Sequence, residues 1–282
     1  YGAGWGNSLN HSNSDNTGVG FSALKLCTTG IDNVAVGAYA GDASTTQDSL
    51  TLVGKNAGSA INHNDANGTV AVGASALEAL TSGSANTAIG FESSKANNTG
   101  YKNTALGWNS FITNQTGYSN TAIGSEALYY TTSDENVAVG DRAGGYTTGD
   151  ANTYVGFKAG FGASGAENYN TGVGWQALES ITDGGYNVAL GSRSGEDLTT
   201  GDFNTFVGDY SGHTTTNAQR TVAVGHSAMA SGNVDGTDAI GTVAIGYEAL
   251  VALTSGQQNI AVGYQSMLET TEGDYNTVFG YR

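Results

Sequence analysis

The sequence predicts an all-β fold, a parallel β-solenoid of about sixteen coils of about seventeen residues each. Three observations predict it. A glycine-closed motif returns at near-constant spacing, apolar residues alternate over the few positions before each glycine, and the composition opposes helices. The 282 residues include 44 Gly and no Pro, with only 12% charged and with abundant Asn, Thr, Ser and Ala. Such a mixture is poor in helix formers and rich in turn formers. The fixed recurrence of Val, Ile and Leu separates it from a disordered low-complexity chain.

The motif reads Asn-Thr/Val-Ala-aliphatic-Gly, followed three residues later by Ala or Ser, with clear copies at Asn33 to Gly37, Asn86 to Gly90, Asn120 to Gly124 and Asn136 to Gly140. Its glycines run from Gly4 through Gly20, Gly37 and Gly54 to Gly280, most of them seventeen residues apart. Two longer intervals, before Gly73 and Gly246, predict loop insertions near 59–68 and 231–241, because solenoid coils accept extra residues at a corner without losing register. Residues 1–282 are expected to form one continuous repeat domain.

Each element has a physical reason. Val, Ile or Leu precedes the glycine, as in Val36, Ile89, Leu106, Ile123, Val155 and Val262, and Thr or a β-branched aliphatic stands two residues earlier, as in Val34, Thr87, Thr121, Val188 and Ile260. Residues two apart on a strand share a face, so these columns are expected to line the narrow interior. The intervening Ala column, with Ala35, Ala88, Ala122, Ala189 and Ala261, is expected to face outward. The glycine is placed for a bend or a close backbone approach. The Ala/Ser column, including Ala23, Ala40, Ser110, Ala177 and Ser266, implies a cramped position. Turns follow at segments such as Thr199-Thr200-Gly201-Asp202, and the Asn column (Asn16, Asn103, Asn152, Asn204, Asn276) is expected to stack into a ladder that holds register.

A coil this short encloses little apolar volume, so a lone chain would be marginal. Burying the Ala column between copies with closed symmetry would supply the missing contact, and a trimer is expected.

The segment Val243-Ala244-Ile245-Gly246-Tyr247-Glu248-Ala249 resembles the repeat of trimeric autotransporter adhesin heads. The longer form around Thr147-Thr148-Gly149-Asp150-Ala151-Asn152-Thr153 is similar to repeats of phage and virus tail fibres and of bacterial surface fibre proteins. The resemblance spans essentially the whole chain and implies a left-handed parallel β-roll assembled in threes. The chain differs from the adhesin heads in its longer repeat and shows no neck or coiled-coil stalk.

The net charge of −16 opposes nucleic-acid partners and anionic membranes. No apolar run approaches the roughly 20 residues of a membrane span, so no membrane insertion is expected. Cys27, the single cysteine, offers neither an intrachain disulfide nor a thiolate pair for zinc. The chain opens at Tyr1 without a basic leader and reads as a processed product or fragment, any anchor or secretion signal lying outside it.

Chemistry-bearing patterns are sparse. Gly160-Phe161-Gly162-Ala163-Ser164-Gly165 fits a dinucleotide fingerprint, but glycine is abundant and no amphipathic helix follows. His11, His63, His213 and His226 are scattered, and no Gly-x-Ser-x-Gly elbow occurs. Asp134-Glu135 and Glu196-Asp197 read as solvated turn residues, and Asp65-Ala66-Asn67-Gly68 as a turn rather than a calcium loop. No catalytic residue, cofactor or metal is expected.

One column keeps a surface role open. After the motif glycine stand Trp5, Trp108, Phe157, Trp175, Tyr247 and Tyr264. These rings would either meet sugars or a protein receptor, or cover the core edge and pack between chains. The expected function is that of a rigid homotrimeric fibre segment, extracellular, on a virion tail fibre or microbial surface, which recognises a host or cell-surface receptor, glycans among the options, without catalysis. The alternative is an ice-binding or other flat-surface-binding solenoid that uses the column Thr17, Thr87, Thr104, Thr121, Thr153, Thr205 and Thr277; Val interruptions and an inward-facing reading of that column weigh against it.

Overall fold

The structure, a computed structural model, describes residues 15–162, 165, 167–231 and 240–282. Gly4, Trp5 and His11, the Ala163-Ser164 step of the glycine-rich segment and most of the insertion near 231–241 lie outside the described residues. Two compact units, Tyr1–Asn136 and Val137–Arg282, carry the same repeat. The fold is an all-β, parallel β-solenoid.

Among the described residues every strand is three residues long. The first unit holds β1 (Thr17–Val19), β2 (Val34–Val36), β3 (Thr51–Val53), β4 (Val70–Val72), β5 (Thr87–Ile89), β6 (Thr104–Leu106) and β7 (Thr121–Ile123). The second holds β8 (Val137–Val139), β9 (Thr153–Val155), β10 (Thr171–Val173), β11 (Val188–Leu190), β12 (Thr205–Val207), β13 (Val222–Val224), β14 (Val243–Ile245), β15 (Ile260–Val262) and β16 (Thr277–Phe279). Within each unit consecutive strands pair in parallel and column meets column: Thr87 opposes Thr104, Ala88 opposes Ala105, and Ile89 opposes Leu106. The spacing in the sequence is therefore the register of the sheet.

The facing of the strands corrects the sequence-based expectation. The middle residue of each strand points inward, and Ala35, Ala71, Ala88, Ala105 and Ala122 in the first unit are fully buried, as are Ala138, Ala189, Ala223, Ala244 and Ala261 in the second. The Thr/Val and Val/Ile/Leu columns flank it on the outside, half-buried or exposed, with Leu106 at 43% exposure. Space is the reason. An inward Cβ on the strand faces the chain four residues past the glycine on the opposite wall, and only one of the two positions can carry bulk.

Where the strand position is large, the opposite one is glycine. A Cβ on Gly41 would stand 2.6 Å from Leu52 Cδ1, and one on Gly58 would stand 2.8 Å from Leu52 Cδ2. Gly195 and Gly212 flank the Phe206 ring in the same way, at 2.8 and 2.7 Å. Where the strand position is Ala, the opposite wall carries Leu24, Leu77, Phe111, Leu128, Leu178 or Leu250, all buried. The Ala/Ser column three residues after the glycine is fully buried, as its size limit implied.

The motif glycines carry both roles expected of them. Gly90 adopts φ 140°, and a Cβ there would lie 2.2 Å from the Gly107 carbonyl oxygen of the next coil. No L side chain fits that approach.

The Asn column forms a ladder through the backbone more than through side chains alone. The amide N–H of Asn103 donates to Asn86 Oδ1 (3.0 Å), that of Asn120 to Asn103 Oδ1 (2.9 Å) and that of Asn136 to Asn120 Oδ1 (2.9 Å). Each Nδ2 reaches a corner carbonyl one coil on, as in Asn86 to Gly100 (2.7 Å) and Asn103 to Gly117 (2.7 Å). The second unit repeats this from Asn152 to Asn204. These side chains are buried, so the ladder satisfies backbone groups that water cannot reach. The insertion near 59–68 holds a short 3-10 turn over Asn64–Ala66; Ala66 fills the corner interior, and Asn67 Oδ1 accepts the Asp48 N–H at 2.9 Å. Asn67 thus serves as a turn residue.

Candidate functional site

Outside the core, the structure presents two kinds of surface in each unit: the outward strand face, and rows of aromatic rings beside it. The strand face arises because a β-strand sends alternate side chains to opposite sides. With Ala inside, the larger apolar residues are left outside. In the first unit Val19, Val34, Val36, Ile89 and Leu106 are exposed on it. In the second, Val173, Leu190, Ile245 and Phe279 are exposed. Stacked strands stand about 4.8 Å apart and three residues span about 10 Å, so the nine strands of the second unit make a face of roughly 400 Å². That lies within the range of about 300–600 Å² for the largest apolar patch on a typical soluble monomer.

The column after the glycine is built as stacks in the second unit. Phe157 and Trp175 stack at 6.3 Å between ring centroids and 12° between planes. The Arg193 guanidinium then lies 4.6 Å from the Trp175 ring and 5.4 Å from Tyr210, and its Nη1 donates to the Tyr210 hydroxyl at 3.2 Å. His226, Tyr247, Tyr264 and Tyr281 continue as parallel rings at 5.3, 5.1 and 5.3 Å. Glu248 beside Tyr247 pushes that phenol above its ordinary value. Of the rings singled out from the sequence, Phe157 is therefore paired with Trp175, and Tyr247 with Tyr264. Their faces are turned to one another and their edges to solvent. Trp108, in the first unit, is 51% exposed.

Two further sets of stacked rings were not recognised in the sequence. Tyr169, Tyr186 and Phe203 stack at 4.9 and 5.0 Å in the column immediately ahead of the Asn, and in the first unit Tyr101 stacks on Tyr118 at 4.9 Å in the column before that. Their seventeen-residue spacing was the available signal, hidden because the same columns elsewhere hold residues such as Asp32, Ser49 and Asp48.

The polar groups near these surfaces are committed to stacking. The Thr28 and Thr182 hydroxyls donate to the Thr45 and Thr199 carbonyls one coil on, at 3.0 and 3.1 Å. Asp134 Oδ1 accepts the Tyr118 N–H at 2.9 Å. Glu196 sits between Arg193 (3.5 Å) and His213 (2.9 Å). His63 pairs with Asp65 at 3.3 Å and His226 with Asp209 at 3.7 Å. Cys27 is buried, and desolvation raises its thiol pKa, the opposite of nucleophile activation. Among the described residues no three His, Cys, Asp or Glu side chains gather as a metal site, and no helix is long and apolar enough to cross a membrane.

No family model, curated protein or solved structure matches this chain.

Proposed function

We propose that the chain is a rigid segment of an extracellular adhesive fibre, assembled as a homotrimer on a virion tail or microbial surface, that recognises a host or cell-surface receptor without catalysis. The observation that carries this reading is the outward strand face. Thr, Val, Ile and Leu columns that a larger coil would enclose are left facing solvent in the single chain. A standard interface takes about 800 Å² from each partner. The roughly 400 Å² of the second unit's strand face supplies half of that. The contact between copies is thus assigned to the aliphatic columns instead of the alanines.

Repetition gives such a segment length, and three copies give avidity to weak receptor contacts. Receptor contacts fall to the rings and turns away from the shared face, glycans being one receptor class that ring edges and hydroxyls suit. Static light scattering tests the assembly. A trimer whose association is lost in Leu106→Asp supports the reading, and a wild-type monomer at micromolar concentration contradicts it.

A second reading gains from the same face. Thr51, Thr87, Thr104 and Thr121 of the first unit stand on the outward side, so the inward orientation that weighed against ice binding does not hold. Thermal hysteresis in a monomeric sample would favour it over the fibre.

A further inference from the structure

The corner three residues before the Asn column is a glycine position: Gly83, Gly100, Gly117, Gly149, Gly184, Gly201, Gly256 and Gly273 occupy it. One departure is chemically unlike the rest. Glu167 stands there in the second unit, fully buried, and neither of its carboxylate oxygens has a hydrogen-bond partner.

Its surroundings depart from the repeat as well. Tyr154 of β9 replaces the inward Ala and is fully buried. Gly160 makes room for it, since a Cβ there would meet the ring at 2.3 Å, and Gly172 of β10, in the same column as Tyr154, lies against that ring too. Two ionisable groups, Glu167 and Tyr154, are thus buried in one coil, at positions that most other coils give to Gly and Ala. Burial disfavours a charge on Glu167, Asp183 adds to this, and Glu167 in turn raises the Tyr154 phenol, while its own amide, the Thr147 hydroxyl and the Thr148 amide, near it but out of hydrogen-bond geometry, offset this only in part. No Lys, Arg or His figures among the groups that act on it.

We propose that Glu167 is a proton-operated latch: protonation of this carboxyl stabilises the pairing of β9 with β10, and its ionisation weakens that pairing. A carboxylate is held in this position at a cost that the neutral acid does not bear. Burial raises the carboxyl from its ordinary 4.5 to about 8, so the closed coil holds a proton at neutral pH that an opened coil releases. The sign follows from that order. Protection is complete in acid, declines as pH rises above the open-state value, and is lost once the pH passes about 8. The Tyr154 phenol, raised well above its ordinary 10, stays neutral throughout this window.

Amide hydrogen exchange of the full chain tests the latch. Exchange of the β9 and β10 amides is compared between wild type and Glu167→Gln at each pH from 5 to 10, so that the intrinsic pH dependence of exchange cancels in the ratio. Glu167→Gly, which restores the residue that other coils carry, serves as a second reference should the amide perturb folding. The expected result is a wild-type to variant ratio that rises about tenfold per pH unit and levels off near pH 8, confined to this coil. A ratio independent of pH against the variant that folds overturns the proposal, as does an equal rise across strands of the first unit.

Discussion

The size pairing across each coil gives the sharpest test of the fold. Leu52 fills an interior from which side chains at positions 41 and 58 are both absent, so Leu52→Ala leaves a void that no neighbour closes. Three carbons are removed from a fully buried site, about 2.4 kcal/mol of transfer free energy at about 0.8 kcal/mol each. The unfilled cavity adds to this and places the total near the top of the range of about 2–5 kcal/mol for such truncations. Gly41→Leu alone is destabilising, because its Cβ would already stand 2.6 Å from Leu52 Cδ1. Together the two changes recreate the Ala-and-Leu arrangement of coils that carry Leu24 or Leu77, which hold the same left-handed backbone at φ 48° and 49°. The double variant should therefore be more stable than Leu52→Ala, with a favourable coupling of 1 kcal/mol or more, about the size expected for residues in direct contact. Urea unfolding of the four proteins measures it. Additive losses would refute the claim that these two positions share one space.

Other outcomes follow from the same geometry. Glu167→Gln should remove a pH dependence of stability: the wild type loses about 1.4 kcal/mol per pH unit between about 4.5 and 8 relative to the variant, seen in melts at pH 5, 7 and 9. Asn120→Ala should cost about 2–4 kcal/mol, since it strands the buried Asn136 N–H and the Ser133 carbonyl, whereas Asn98→Ala on the exposed turn costs far less; chemical denaturation compares them. Leu106→Asp should abolish association while circular dichroism remains that of the wild-type fold, because the side chain faces outward.

Much of this architecture could be read from spacing alone. The motif glycines, the three-residue strands before them, the cramped Ala/Ser column and the Asn ladder all stand where the repeat places them. Each is a backbone requirement recurring in every coil, so periodicity exposes it. Which face of the strand is inside could not be read that way. Thr-Ala-Ile alternates equally well in either orientation, and ranking Val and Ile above Ala by hydrophobicity pointed to the wrong side. The deciding information was the correlation between distant positions, Leu52 with Gly41 and Gly58, and Phe206 with Gly195 and Gly212. The rings show the same limit. The column that holds Trp108, Phe157, Trp175, Tyr247 and Tyr264 was legible, with surface contact and packing both left open, but face-to-face stacking and the Arg193 bridge depend on coil geometry. Glu167 stood in the sequence as one acidic residue among many; only its corner position makes it unusual.

The central claim is that the outward strand face is shared between copies. Light scattering coupled to size exclusion addresses it most directly. The account predicts a single species of three times the 28.5 kDa chain mass that Leu106→Asp reduces to one chain. A folded wild-type protein that elutes at 28.5 kDa at micromolar concentration would contradict it.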